Sequence, residues 1–373
     1  MKFLIAMDSF KGSCSSLEAG TAVETGIRRV FPYAQCTVLP IADGGEGTGA
    51  ALVSALGGTL RWVCVQDALG RDIQAPFVLL PDGTGVIELA SASGLTRISE
   101  AERNPLTTST YGTGQLIRAA LDEGVRKFLV GLGGSATNDG GAGLLTALGM
   151  RFFDKYHNQI PQGGFALAQL HSMDPSGLDP RLQESQMVIA CDVDNPLLGP
   201  RGASAIFGPQ KGATPEQVLQ LDAALANYHG ILRQITGKEY NKIPGSGAAG
   251  GTTVALLAFT SATLSPGIEL VLKTLHFDEQ LLDIDWVITG EGRIDEQTLH
   301  GKVIMGVATY TKKAKKPLLA LAGSIGPRTQ ELYDLGVTAM FPIAPGPISL
   351  QESMLRGPEL LANTAERCMR MLR

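Results

Sequence analysis

The sequence predicts an α/β protein with two α/β domains: a doubly wound parallel sheet built from both chain ends, plus an inserted mixed α/β domain. Apolar runs of strand type alternate with helical segments twice before residue 58 and three times after residue 284. Between them, residues 59–89 alternate apolar and polar residues around turn signals, which is typical of antiparallel strands. A chain of 373 residues also exceeds what one hydrophobic core usually serves. We therefore expect a Rossmann-like domain from residues 1–65 and 280–373 and an inserted domain from residues 66–279.

The N-terminal segment predicts two strand-and-helix units. The apolar run KFLIAM at 2–7 has the composition of a buried strand. Ser15 or Ser16 can cap the helix that follows, and Pro32 lies beyond its end. A second strand and helix occupy about 36–57. Polar residues follow both strands, so they are expected at the carboxyl edge of the sheet, where open α/β sheets bind ligands.

The rest of the chain predicts further elements of both types. They are helices near 113–123, 214–235 and 265–276, and strands at 128–132 and 187–191. From residue 284 three strands alternate with helices, and the first of these helices is expected to cover about 298–314.

Composition restricts the class of protein. The chain has 44% hydrophobic and 18% charged residues, and its net charge of -5 argues against a nucleic-acid partner. Five scattered cysteines without a CxxC pair indicate reduced thiols, the histidines form no zinc motif, and no GxSxG occurs. The apolar core of MKFLIAMDSF is too short for a signal peptide, and no apolar stretch is long enough to cross a membrane. We therefore expect a cytoplasmic protein that binds a small molecule; whether it forms a homo-oligomer stays open.

A glycine-rich stretch, FLVGLGGSATNDGGAGLL at 128–145, predicts a strand, a turn and a helix. Glycines bring backbone N–H groups close to a ligand, and a helix N-terminus attracts anions, so phosphate is the expected ligand. The pattern is neither GxxxxGK[ST] nor a clean GxGxxG, and a turn that serves close packing alone is the alternative. The residues expected at the anion are Gly133, Gly134, Ser135, Asn138, Asp139, Gly140 and Gly141.

Two pairs of acidic residues have the spacing of metal ligands. Asp43 and Glu46 flank two glycines and could hold Mg²⁺, although exposed acidic residues in a turn are the alternative. Asp192 and Asp194 follow an apolar strand at i and i+2, which suits a hard cation or a catalytic base, or a helix cap. Haloacid-dehalogenase-like phosphatases also begin with a strand and DxD, but Pro196 stands where they need Thr or Val.

Positively charged residues lie on two other loops. Lys11 follows Asp8 and Ser9 and could bind a phosphate or a carboxylate; a solvated lysine is the alternative. The loop TGEGRIDEQTLHGK leads into a predicted helix, so Thr298 and Lys302 are expected on one face of its first turn. Its other candidate residues are Glu291, Arg293 and Asp295, of which the arginine could form a two-pronged bond to a carboxylate.

Six blocks across nearly the whole chain together resemble the type-1 family of bacterial glycerate kinases. In order they are DSFKGS, ADGGEGT, GLGGSATNDGGAG, DVDNPLLGPRGA, GSGAAGG and TGEGRIDEQTLHGK. The resemblance implies ATP-dependent phosphorylation of D-glycerate to 2-phosphoglycerate with Mg²⁺, by two α/β domains around a cleft.

Residue roles follow from the resemblance as expectations. The glycine-rich loop would contact nucleotide phosphates, and Lys11 and Arg293 would bind the glycerate carboxylate or the transferring phosphate. Asp192 or Asp194 would be the base or a metal ligand. The expected substrate-binding residues are Asp8, Ser9, Lys11, Arg293, Asp295, Thr298 and Lys302, and the expected metal ligands are Asp43, Glu46, Asp192 and Glu291. Two alternatives stay open: a metal-dependent phosphohydrolase of a small phosphorylated acid, and a sugar-acid sensor without catalysis.

Overall fold

The computed structural model describes residues 1–45, 47–299 and 302–373. The strands in these residues are β1 (Lys2–Met7), β2 (Gln35–Val38), β3 (Thr59–Gln66), β4 (Asp72–Leu79), β5 (Thr84–Glu88), β6 (Lys127–Gly131), β7 (Arg151–Phe153), β8 (Ser172–Asp174), β9 (Gln186–Ala190), β10 (Thr263–Ser265), β11 (Trp286–Ile294), β12 (Leu318–Ile325) and β13 (Ala339–Pro342). The α-helices are α1 (Ser16–Arg28), α2 (Thr48–Leu56), α3 (Ala90–Ser93), α4 (Tyr111–Asp122), α5 (Ala142–Ala147), α6 (Ala203–Phe207), α7 (Pro215–Thr236), α8 (Ala248–Phe259), α9 (Gly267–Thr274), α10 (Phe277–Gln280), α11 (Val303–Lys313), α12 (Glu331–Leu335), α13 (Leu350–Leu355) and α14 (Gly357–Met371).

The chain divides into two compact units. The first unit contains Met1–Gly57 and Pro266–Arg373, and the second contains Gly58–Ser265. These boundaries differ from the expected 65/66 and 279/280. The first differs because β3 pairs with β4 along its whole length and so belongs to the second unit. The second differs because α9 packs against α11 of the first unit.

The sheet of the first unit contains strands from both ends of the chain. Its order is β13-β12-β11-β1-β2, and all neighbouring strands are parallel. In the register, Ile5 on β1 lies opposite Ile288 on β11, which lies opposite Leu319 on β12. These residues pack with buried side chains of α1 and α14, while α11 packs on β11 and buries its own Val307. The predicted doubly wound parallel sheet is confirmed.

Helix α1 shows how local sequence fixes this arrangement. Ser15 is its N-cap and forms a capping box with Glu18, in which the side chain of each accepts a hydrogen bond from the backbone of the other. Gly26 lies where α1 meets α14, and a Cβ there would be 2.2 Å from the Ala362 carbonyl oxygen. The two helices pack this closely because that side chain is absent.

The second unit contains a mixed sheet of order β10-β9-β6-β5-β4-β3. The strands from β10 to β5 are parallel, whereas β5, β4 and β3 pair antiparallel. This confirms the inserted mixed α/β fold with antiparallel strands. Helix α7 begins after Thr214, which caps it as expected, and ends at Gly237 in the left-handed conformation. No helix within the described ranges combines the length and apolar composition that a membrane crossing needs.

Candidate functional site

A pocket of about 410 Å³ opens in the first unit. Strand β1 lies between β11 and β2, so the residues that follow these strands meet at one edge of the sheet. Asp8 directly follows β1, and its N–H donates a 2.9 Å hydrogen bond to the Gly290 carbonyl oxygen on β11. Among the described residues, the polar side chains that line this pocket are Asp8, Asp43, Glu291, Lys11, Arg293, Lys302, Ser9, Ser13, Ser324 and Ser353. The pocket therefore places carboxylates beside cations.

Asp8 is the carboxylate whose proton affinity is most altered in this pocket. Burial raises its pKa to about 7, and repulsion from Asp43 and Glu291 acts in the same direction. The Ser9 N–H, which donates a 2.6 Å hydrogen bond to Oδ1, and the charge of Lys11 oppose this increase. Near neutral pH, Asp8 can therefore both accept and release a proton.

Glu291 is buried and is held by Thr298. The Thr298 hydroxyl donates a 2.6 Å hydrogen bond to Oε1 of Glu291 and accepts one of 3.1 Å from the Asp295 N–H. Since the backbone N–H occupies an acceptor site of this hydroxyl, its proton is directed to the glutamate. Burial raises the pKa of Glu291, and the hydrogen bond from Thr298 opposes the increase.

The placement of Thr298 corrects two expectations. Thr298 lies in a short 3₁₀ turn, Glu296–Leu299, and α11 begins only at Val303, with Lys302 as its N-cap residue. The two side chains therefore do not share the first turn of one helix. Thr298 is also fully buried, and its hydroxyl donates to Glu291, so the geometry supports a role in holding this carboxylate.

The cations of the pocket differ in their surroundings. Lys11 is exposed and Lys302 is partly buried, and both line the pocket. Arg293 is exposed and lies 3.3 Å from the Asp295 carboxylate, measured from Nε to Oδ2. Asp295 was expected to bind substrate, but among the pockets described it lines a second one, which Arg293 also lines together with Glu296 and Arg328. Its geometry suits orientation of the guanidinium group.

The glycine-rich loop of the second unit has an accessible part and a buried part. Gly133 and Gly134 are exposed, and Gly134 has a φ of +72°, a conformation that favours glycine. Ser135 is 7% exposed, and the following residues through Gly141 are buried. A ligand can therefore reach the backbone of Gly133 and Gly134, and Ser135 borders this accessible part of the loop.

Asp139 has a structural role that the sequence pattern did not reveal. Its Oδ2 accepts hydrogen bonds from the N–H and hydroxyl of Thr110, at 2.9 and 2.8 Å, and from the Gly143 N–H at 3.2 Å. Its Oδ1 accepts a 3.1 Å bond from the Gly141 N–H. The anion at the N-terminus of α5 is thus the protein's own carboxylate. The predicted phosphate contact of Asp139 therefore has no support in this geometry, in which both carboxylate oxygens accept hydrogen bonds from the protein.

Three neighbours of Asp139 are also in close contact with other parts of the unit. The Asn138 side-chain amide donates a 2.9 Å hydrogen bond to the Ser204 hydroxyl, and Asn138 is fully buried. A Cβ on Gly140 would lie 2.8 Å from the Tyr228 ring, and one on Gly141 would lie 2.6 Å from the Ala255 side chain. These glycines permit close packing, so the expected phosphate contacts at Asn138, Gly140 and Gly141 are not supported by the geometry.

Asp192 and Asp194 follow β9 and are both exposed. Arg201 binds Asp194 through Nη2, which lies 3.1 and 2.9 Å from its two carboxylate oxygens. The carboxylate of Asp194 is therefore paired with a cation of its own loop. The choice between Asp192 and Asp194 as base or metal ligand stays a prediction.

Carboxylate oxygens that could bind a metal are present, but those of the described residues do not form a complete coordination shell. In the part of the chain that the structure describes, no three His, Cys, Asp or Glu side chains are grouped so as to hold a metal ion. Asp43 and Glu291 line the same pocket, and Glu46 lies outside the described residues. Mg²⁺ commonly takes one or two carboxylates and completes its shell with water and phosphate oxygens, so these two residues fit it.

Several pocket residues were not expected from the sequence. The apolar side of the pocket consists of Phe10, Ile343, Leu350 and Met354. The last three come from the end of the chain, where no motif distinguishes them from ordinary core residues. Ser13 is fixed by a hydrogen bond from its hydroxyl to the Met354 carbonyl oxygen, which joins the DSFKGS loop to α13.

Known proteins resemble this chain over nearly its whole length. A model of the glycerate kinase family matches residues 3–373. A glycerate kinase from Haemophilus influenzae is 49% identical over 373 residues, which is 100% of this chain and 99% of that protein. A glycerate kinase from Bacillus subtilis is 47% identical over 366 residues, 98% of this chain and 96% of its relative. A glycerate 2-kinase from Escherichia coli is 45% identical over 344 residues, 92% of this chain and 90% of that protein.

The fold has a close counterpart in a crystal structure. A protein described as glycerate kinase 2 from Salmonella typhimurium LT2 matches with a TM-score of 0.90 and 46% sequence identity, covering 100% of this chain and 98% of that one. The family match, the relatives and the fold agree over nearly the whole length. The chain belongs to the glycerate kinase family.

Proposed function

We propose that this protein transfers the γ-phosphoryl group of ATP to the 2-hydroxyl group of D-glycerate, with Mg²⁺, and releases 2-phosphoglycerate and ADP. The name glycerate 2-kinase of the Escherichia coli relative supports the 2-hydroxyl as acceptor. The observation that carries the proposal is the pocket in which Asp8 lies beside Lys11, Arg293 and Lys302. Phosphoryl transfer needs alignment and charge neutralisation, and these side chains supply both.

Glycerate has a carboxylate and two hydroxyl groups, so its recognition needs a cation and hydrogen-bonding groups. Arg293 suits the carboxylate because its planar guanidinium group can donate two parallel hydrogen bonds. Lys11 contributes a second positive charge at the same pocket. Ser9 and Lys302 also line the pocket and are candidates for the glycerate hydroxyls and the transferring phosphoryl group.

Asp8 is the proton acceptor in this proposal. The 2-hydroxyl oxygen forms a bond to the γ-phosphorus while the bond from that phosphorus to the leaving oxygen of ADP breaks. The hydroxyl proton passes to the Asp8 carboxylate. A pKa of about 7 suits this step because a general base works best when its pKa is near the working pH.

Asp43 and Glu291 are the candidates to hold Mg²⁺ in the first unit. Their donor atoms are oxygens, the ligands that Mg²⁺ prefers, and both side chains line the pocket that also contains Asp8. When bound, Mg²⁺ supplies charge neutralisation and orientation of phosphate oxygens. In the second unit, Asp192 is the candidate metal ligand, and Asp192 or Asp194 is a candidate base.

Nucleotide phosphates are assigned to the exposed part of the glycine-rich loop. Gly133 and Gly134 lack side chains, so a phosphate oxygen can approach their backbone, and Ser135 follows them. Family membership supports ATP as the co-substrate, since kinases of this kind transfer phosphate from a nucleotide.

The test is product identification by ³¹P and ¹³C NMR after incubation with D-glycerate, ATP and Mg²⁺. The expected products are ADP and glycerate phosphorylated at carbon 2. Phosphorylation at carbon 3 would contradict the proposed acceptor. Release of inorganic phosphate from 2-phosphoglycerate without nucleotide would indicate a phosphohydrolase, and binding of glycerate without turnover would indicate a sensor.

A further inference from the structure

Lys211 is a buried basic residue that the proposed reaction leaves unused. It ends a short 3₁₀ turn, Pro209–Lys211, in the sequence GPQKGAT, and is 1% exposed. Transfer of an ammonium group from water to the protein interior costs free energy on the order of several kcal/mol unless the group is well paired. A lysine in this position therefore needs a reason beyond packing.

The contact of Lys211 is with the glycine-rich loop. Its Nζ donates a 2.6 Å hydrogen bond to the Thr137 carbonyl oxygen. Burial lowers the pKa of Lys211 to about 7, and the charge of Asp139 in the same loop opposes this decrease. Lys211 therefore interacts with the loop in two ways: by a hydrogen bond to a backbone oxygen and by electrostatic attraction to Asp139.

Other carbonyl oxygens of the loop are fixed in the same way. The Gly134 carbonyl oxygen accepts a 2.9 Å hydrogen bond from the Leu95 N–H. The Ala136 carbonyl oxygen accepts one of 2.8 Å from the Thr108 hydroxyl. With Lys211 on the next carbonyl oxygen, donors from three separate segments set the path of the loop immediately after its exposed glycines.

Among the described residues of this unit, several buried polar groups lack a hydrogen-bond partner. The Thr137 hydroxyl, Oδ1 of Asn138 and the Tyr228 hydroxyl are buried, and the described residues offer none of them a hydrogen-bond partner. Such groups cost stability, and each one in a native protein needs an explanation, of which a functional role is one. Two of these groups belong to Thr137 and Asn138 of the loop that Lys211 contacts, so a role in the loop explains the buried lysine better than a role in the stability of the unit.

We propose that Lys211 is a positioning residue of the nucleotide site: through the Thr137 carbonyl oxygen it holds the loop so that Gly133 and Gly134 present their N–H groups to the phosphates of ATP. The inference rests on the assignment of this loop to nucleotide phosphates. Lys211 does not touch the nucleotide, so its effect is on the affinity for the nucleotide and not on the affinity for glycerate.

The test compares the full-length variants Lys211→Met and Lys211→Gln with Lys238→Met, which removes an exposed lysine of the same unit. For each, KM for ATP, KM for D-glycerate and kcat are measured well below the thermal unfolding midpoint. Lys211→Met should increase KM for ATP by about 10-fold or more, because small displacements of positioning groups are costly, and leave KM for glycerate within about 2-fold. Lys211→Gln keeps a donor and should lie between Lys211→Met and the control.

Three outcomes would overturn the inference. They are a KM for ATP within about 2-fold of the control in folded Lys211→Met, an equal increase in both KM values, and a failure of both Lys211 variants to fold. The last would assign the lysine to the stability of the unit.

A measurement on the unchanged protein separates this inference from the proposed function. Hydrogen exchange of the peptide 131–143 is followed with and without MgADP. Protection of this peptide, together with an unchanged KM for ATP in Lys211→Met, would reject the role of Lys211 alone. Absence of protection would reject the assignment of the loop to nucleotide, and the inference with it.

Discussion

The Thr298 hydroxyl donates a 2.6 Å hydrogen bond to Oε1 of Glu291, and both side chains are buried. The bond fixes one carboxylate oxygen and thereby orients the other relative to the pocket. Thr298 acts on the site through Glu291, so its removal should affect the reaction more than the binding of glycerate.

Replacement of Thr298 tests this relationship. Thr298→Val should decrease kcat by about 10-fold with KM for glycerate little changed, because supporting residues of this kind typically contribute on that order. Thr298→Ser keeps the hydroxyl and should restore most of kcat. The control is Thr309→Val, which changes an exposed threonine on α11. Equal kcat values for Thr298→Val and this control would contradict the proposed orientation of Glu291.

Asp8→Asn should increase stability in a pH-dependent way. The Asp8 pKa is raised from 3.8 to about 7 in the folded protein, so between these values the folded state holds the proton more tightly than the unfolded state. The free energy of unfolding of the wild type therefore decreases as the pH rises through this range. Asparagine does not ionise, so the variant does not show this decrease. Urea unfolding should show a gain of about 1–3 kcal/mol at pH 8 and a smaller gain at pH 5. Asp334→Asn, at an exposed position, is the control; a gain that is the same at both pH values would argue against the altered proton affinity.

Arg293→Lys keeps the positive charge and removes the planar pair of donors. We expect KM for D-glycerate to increase about 10-fold with kcat changed less, because lysine cannot bind a carboxylate in the two-pronged geometry. Arg328→Lys is a matched control, since Arg328 is also exposed and its guanidinium group lies 3.1 Å from the Glu296 carboxylate. The carboxylate assignment fails if steady-state kinetics give the same KM for both variants.

Asp139→Asn tests the structural role of that carboxylate. Three N–H groups and one hydroxyl donate to it, and an asparagine amide would place its own N–H groups against a donor. We expect the free energy of unfolding to fall by about 2–3 kcal/mol in urea titrations. Asp122→Asn, which alters an exposed aspartate of the same unit, should change it little. A comparably small effect of Asp139→Asn would show that these hydrogen bonds are not essential.

The sequence predicted the fold well where local pattern and topology agree. The apolar run at 2–7 and those after residue 284 identified the parallel strands, and the right set of loops was expected at their carboxyl ends. The neighbourhood of Asp8 and Glu291 follows from this topology. The predicted boundaries of the Rossmann-like domain differ from those of the first unit. Residues 59–66 belong to the second unit, and only their pairing with β4 reveals this.

Details of the site depend on tertiary contacts that a single sequence does not contain. A carboxylate that accepts hydrogen bonds from its own loop and one that contacts a ligand have the same sequence pattern, so the sequence did not reveal the structural role of Asp139. Helix spacing suggested one face for Thr298 and Lys302, but the helix begins later, at Val303. Burial of Lys211 depends on segments far apart in the chain, and no local signal separates it from an exposed lysine.

The central claim is that glycerate reacts in the pocket of the first unit with Asp8 as proton acceptor. Its most direct test is kcat/KM for D-glycerate of Asp8→Asn, measured at saturating MgATP in protein shown to be folded. The account predicts a decrease of about 100-fold or more, the usual contribution of a general base, while the variant remains at least as stable as the wild type at pH 8. A value of kcat/KM within about threefold of the wild type would contradict it.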